Sequence, residues 1–198
     1  MLLRQLYLAH FEQQDFVKAL EIAEQMLELD TLTDVCQQDV ARALVALGDV
    51  DAAAAHLRLA ARTAPARRRA FHLWTLGSVL YLAGRLDEAE SALRRAVRWG
   101  TTDRPLYAGH LALIQLENGQ RVADVEEVVE RLEEAPCGQG YGRFVLGMLC
   151  VHTARPNDAE RYLQAFLKRT QGGRKAMALS LAGEMALAQQ QLDRIRMN

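Results

Sequence analysis

Aromatic side chains fill only 6% of the 198 positions, and proline occurs four times. With few helix breakers and heavy use of Ala, Leu, Arg, Glu and Gln, the strongest helix formers, the composition is that of an all-α protein. Cysteine is scarce too. Cys36, Cys137 and Cys150 form no CxxC or Cys/His spacing, and an odd number leaves one thiol over. A paired-disulfide scaffold and a finger-type metal site are therefore excluded, and a reducing, cytoplasmic setting is favoured. Neither sign of charge dominates, since 24 basic and 25 acidic residues give a formal charge of −1. Such a chain has no overall field to gather phosphate backbones or anionic membranes, so nucleic acid is disfavoured as a partner. Long apolar runs are also missing: no window approaches the roughly 18 to 20 uninterrupted residues of a membrane span. The first residues are apolar in helical spacing, but Arg4, Gln5 and His10 interrupt them and no small-residue cleavage site follows, so they do not read as a signal peptide.

Catalytic signatures are equally sparse. His10, His56, His72, His110 and His152 are scattered along the chain, with no HExxH or Ser/His/Asp arrangement, so no catalytic residue, metal or cofactor is expected. Gly138-Gln139-Gly140-Tyr141-Gly142 lacks a preceding strand and a following Lys-Ser/Thr, which makes it a loose connection rather than a phosphate loop. Gly172-Gly173 reads as a helix-ending turn. Arg67-Arg68-Arg69 is too short to outweigh the neutral balance and reads as a solvated stretch opening a helix, although cations at a helix start oppose its dipole. From Asp124 to Glu134 the acids are interleaved with Val125, Val128, Val129 and Leu132 at helical spacing, the pattern of a helix with one solvated face.

What the chain does have is a period. A turn residue recurs as Gly48, Gly84, Gly119 and Ala154, at spacings of 36, 35 and 35. Five positions later a small residue recurs as Ala53, Ala89 and Ala159, with Asp124 the exception. Ala19 extends the register toward the start, and Gly183 to Asp193 echoes Gly77 to Asp87. Each unit is a pair of helices, A and B, of roughly 13 to 15 residues, with Pro65 and Pro136 placed where a proline stops a helix without breaking one. One such hairpin cannot bury its apolar faces alone, so neighbours must stack and share a core.

The third repeat carries the pattern best, with Trp74, Leu76-Gly77, Tyr81, Ala89, Leu93 and Ala96 at or within one place of the marked positions. In these residues the chain resembles the tetratricopeptide repeat family over essentially its whole length. Departures are Thr101 where the family has proline, Ala41 and Ala112 at the middle glycine, and Asp124 at the second-helix alanine. The resemblance implies an all-α, right-handed solenoid of about five and a half tetratricopeptide-like helix-turn-helix repeats. These form a single domain over 1–198, divided near 1–32, 33–68, 69–103, 104–138, 139–173 and a half repeat at 174–198.

In that family the A helices line a concave groove. Carried over by position, the groove holds Arg42, Phe71, Trp74, Ser78, Tyr81, His110, Leu113, Leu116, Phe144, Met148 and His152. The family's clamp for C-terminal carboxylates needs Lys, Asn and Arg here, and only Arg4, Gln38 and Arg42 come near that type. The expectation is thus a non-enzymatic adaptor or scaffold, bacterial by its Ala/Arg-rich usage, that holds an apolar peptide segment or amphipathic helix on aromatic anchors. Two alternatives stay open: an RNA-binding helical-repeat protein, and a regulatory domain of a larger protein. Apolar residues at both ends, among them Leu2, Leu6, Met177 and Met185, predict self-association.

Overall fold

A computed structural model describes residues 2–29 and 32–197. Its helices are α1 (Leu2–Glu12), α2 (Phe16–Leu29), α3 (Thr33–Ala46), α4 (Val50–Thr63), α5 (Ala66–Leu82), α6 (Leu86–Trp99), α7 (Arg104–Glu117), α8 (Val125–Glu134), α9 (Tyr141–His152), α10 (Pro156–Gln171), α11 (Lys175–Ser180) and α12 (Ala182–Met197), with a 3-10 turn at Pro136–Gly138. No strand occurs among the described residues. The chain divides into two units, the first ending at Trp99 and the second starting at Gly100.

Both units are built from hairpins that reverse through one device. The turn residue takes a positive φ at Gly48 (85°), Gly84 (73°) and Gly119 (71°), and equally at Gln14 (63°) and Ala154 (54°). Around each, the following N–H reaches back to the carbonyl five residues earlier, as in Asp15 to His10, Asp49 to Leu44, Arg85 to Leu80, Gln120 to Gln115 and Arg155 to Cys150. This paired closure satisfies the last carbonyls of the A helix and turns the chain in three residues. Two of the B helices are then capped by the next side chain: Asp49 accepts from the Ala52 N–H at 3.0 Å and Asp15 from the Lys18 N–H at 3.2 Å. Gln14 extends the device to the first repeat, where no glycine marks it.

Close approach of the two helices explains the small residues. Ala19, Ala53, Ala89 and Ala159 have no exposed surface. A Cβ on Gly77 would meet Leu93 Cγ at 2.7 Å, and one on Gly147 would meet Leu163 Cδ2 at 2.5 Å. The first unit closes its core with Tyr7, Phe11, Ile22, Leu57, Leu73 and Leu93, and the second with Leu113, Ile114, Leu132, Phe144, Leu163 and Phe166.

Two places depart from the period. After Gly119 the second helix starts only at Val125, whereas the other B helices start two residues after their turn. The cause is Asp124: a carboxylate cannot take the fully buried alanine position, so it stays exposed at φ 52° and α8 shortens to ten residues that bury only Val129 and Leu132. At the other end α12 runs unbroken through Gln190, where the register would place a turn, and Gly183 is exposed rather than packed.

The arginine run is also different from its expectation. Arg68 is not solvated but grips the buried Asp34 of α3 through Nε at 2.7 Å and Nη2 at 2.8 Å. Arg69 donates to the carbonyls of Ala61 and Ala64 at the end of α4 and stacks 4.6 Å over the Trp99 ring. Arg69 thus serves the C-terminus of the preceding helix, where the dipole favours a cation, and Arg68 is offset by a buried carboxylate, which eases the apparent conflict with the start of α5. Arg67 alone is exposed.

Candidate functional site

The sequence places Arg42 on α3 and Phe71, Trp74, Ser78 and Tyr81 on α5, at positions three or four residues apart that share one helix face. In the first unit this face is partly open. Phe71 is 41% exposed, an unusual state for a phenylalanine, and its ring lies 5.7 Å from that of the half-buried Trp74. Ser78 and Tyr81 are buried beneath them, and the Ser78 hydroxyl donates to the Trp74 carbonyl at 3.2 Å, so it is turned toward its own helix. Arg42 is half-buried, with Nη1 at 3.1 Å from Asp39 Oδ1.

Beneath this face lie two charge clusters that helix periodicity did not reveal. Asp34 accepts from Arg68 and lies 3.0 Å from His72 Nε2, which ties α3 to α5. The Arg68 guanidinium, aided by His72, holds the Asp34 carboxyl down to about 2, whereas burial pushes the His72 imidazole below its ordinary value. Asp39 is the second buried acid, with Arg42 on one oxygen and Arg4 Nε at 3.2 Å from the other. The Tyr7 hydroxyl donates to the Asp39 backbone carbonyl at 3.1 Å. Burial lifts the Asp39 carboxyl above its usual range, with the two guanidinium groups opposing. Two buried carboxylates thus offset part of the charge of the three arginines, with Arg4 and Arg42 sharing Asp39.

In the second unit the expected face is mostly core. Leu113 and Phe144 have no exposed surface and Met148 has 2%. Phe144 packs against Tyr141 at 5.5 Å and Phe166 at 5.4 Å between ring centres. His110 is wholly buried with its ring 5.7 Å from Tyr141, and burial pushes its pKa down to about 3, so it is a neutral core residue rather than an exposed contact. Leu116 is half-buried, and the exposed His152 has Nε2 at 3.3 Å from Glu117. An open apolar stripe drawn across all these positions does not exist here: Phe71, Trp74, Arg42, Leu116 and His152 reach solvent, and the other six are inside. On α9, Phe144 is closed in by Tyr141 and by Phe166 of α10, and α12 packs on both of these helices. Among the described residues no group of three His, Cys, Asp or Glu side chains is placed to hold a metal ion, and no helix is long and apolar enough to cross a membrane.

No protein-family model matches the chain, and no curated protein matches its sequence. Solved structures do. The Pseudomonas aeruginosa pilF structure superposes with a TM-score of 0.61 at 19% identity, covering 96% of this chain and 86% of that one. A Podosopora anserina putative kinesin light chain with nearly identical TPR-like repeats gives 0.54 at 19% identity, covering 98% and 91%. MamA gives 0.52 at 16% identity, covering 91% and 95%. The chain thus has the all-helical fold of tetratricopeptide-repeat structures.

Proposed function

We propose that this protein is a non-enzymatic interaction module that reads its partner with the α3–α5 face of the first unit, centred on Phe71 and Trp74. The observation that carries the reading is a pair of large aromatic side chains, one of them 41% exposed, mounted side by side on a helix that the buried Asp34–Arg68–His72 cluster fixes in place. Rigid aromatic anchors on a pre-positioned element are the typical centre of a protein-binding surface, since they bury much apolar area and lose little freedom on binding. An apolar extended segment or the apolar face of an amphipathic helix would cover them.

The electrostatics of the same face favour a polypeptide over RNA. A groove that follows a phosphate backbone needs uncompensated cations. Here Arg4 and Arg42 share Asp39 and Arg68 pairs with Asp34, so two buried carboxylates leave little of the charge of three guanidinium groups to a phosphate backbone. Immobilised protein should therefore retain a polypeptide from a lysate of its source, and Phe71→Ala with Trp74→Ala should lose it. Salt-sensitive retention of arbitrary single-stranded RNA, undiminished in the double variant, would contradict this function.

A further inference from the structure

The last helix is held to the second unit by an unusual set of residues. Among the sixteen residues of α12 only Glu184, Ala188 and Leu192 are buried, one stripe at intervals of four, and α11 before it buries none. One of the three buried side chains of α12 thus carries a carboxyl group. Glu184 is 3% exposed, its Oε1 accepts the Tyr141 hydroxyl of α9 at 3.1 Å, and its Oε2 has no hydrogen-bond partner among the described residues. Below it, Tyr141, Phe144 and Phe166 form one ring cluster on α9 and α10, the two helices against which α12 packs.

From this geometry we infer that α12 is a proton-gated latch over the aromatic wall of α9, seated while Glu184 is neutral and loosened when that carboxyl ionises. A neutral carboxyl accepts the Tyr141 proton with one oxygen and leaves little charge to solvate on the other. An ionised one in the same place has one hydrogen bond where a carboxylate wants several, and departure of α12 returns it to water. The surrounding groups supply no countercharge. From α9 the titratable group facing Glu184 is Tyr141. On α10, Arg169 stands beside Gly140 at the start of α9, and Glu160 pairs with Arg196 at the far end of α12. On α11 the charged residue is Lys175. None of these charges moves Glu184, whose carboxyl burial pushes up to about 7, opposed only by its own N–H and by Tyr141. The seated value exceeds the ordinary 4.5, so the docking of α12 is at full strength below about pH 4.5, weakens as pH rises through about 7, and is level above. The weakening therefore begins in mild acid and is complete just above neutrality. The latch does not depend on the proposed role of Phe71 and Trp74, which lie in the other unit.

Hydrogen exchange on the full chain, corrected for the intrinsic pH dependence of amide exchange, reads it directly. Protection of the α12 amides should fall roughly tenfold between about pH 6 and pH 8.5, while α10 amides keep theirs. Glu184→Gln, which stays neutral and keeps an acceptor for Tyr141, should hold α12 protection constant over the same range, and Glu184→Leu should do so as well. Binding of a fluorescent apolar dye should rise with pH in the wild type and stay flat in both variants. Equal α12 protection at the two pH values in the wild type, or a fall that persists in Glu184→Gln, overturns the latch.

Discussion

At Ala154 an alanine holds a φ of 54° in a turn whose other members are mostly glycine, and Gln14 does the same at 63°. An L-residue in this region costs about 1–2 kcal/mol, partly offset by the greater freedom that glycine has when unfolded. Ala154→Gly and Gln14→Gly should therefore each stabilise the protein by about 0.5–1 kcal/mol, seen as a higher midpoint in urea unfolding. Gly77 is constrained in the opposite sense. Gly77→Ala drives a methyl group to 2.7 Å from Leu93 Cγ and should destabilise by about 1–3 kcal/mol in the same measurement.

Charge at a single residue also couples the stability of the first unit to acid. Asp34 ionises at about 2 in the fold against an ordinary 3.8, so the folded state binds its proton less readily than the unfolded one. Its contribution, about 2 kcal/mol, is present above about pH 4 and disappears as pH falls through about 2. Asp34→Asn should lower stability at neutral pH and flatten its decline in acid, checked by unfolding curves across that window. These residues also mark where sequence stops being readable. Turn glycines and buried alanines announce themselves by period, but Gln14 has no side-chain signature of its φ. Asp34 and Arg68, 34 residues apart, look like surface charges until the hairpins stack.

Among the elements, α8 buries fewer residues than any other B helix. A carboxylate at Asp124 costs it its first turn, leaving Val129 and Leu132 to hold ten residues, whereas α6 buries five residues from Ala89 to Ala96. Amides of α8 should exchange well before those of α6, since local opening follows buried contact. Uniform protection across the two helices would show that α8 is held by something other than its own buried residues. The exception at Asp124 was visible in the sequence; its consequence, a helix starting four residues late, was not, because a side chain that cannot be buried leaves open where the chain recovers. Burial of Phe144 and Met148 was hidden for a similar reason. Their spacing on α9 matches an open helix face, and what fills that face, Phe166 of α10 against Phe144, is a contact that spacing alone does not announce.

For the whole molecule, fold was more legible than surface. A period of about 35 residues implies helical hairpins and stacking, which structures at 16–19% identity share. The face offered to a partner depends instead on which members of an apolar stripe remain uncovered, and in the first unit these are Phe71 and Trp74. The most direct test is the dissociation constant of the polypeptide that the protein retains, titrated against wild type, Phe71→Ala/Trp74→Ala and Arg67→Ala. Loss of two central aromatic anchors should weaken binding at least about a hundredfold, while the arginine change alters it by less than about threefold. Unchanged affinity in the aromatic variant, with binding lost in the arginine variant, would contradict the assignment of this face.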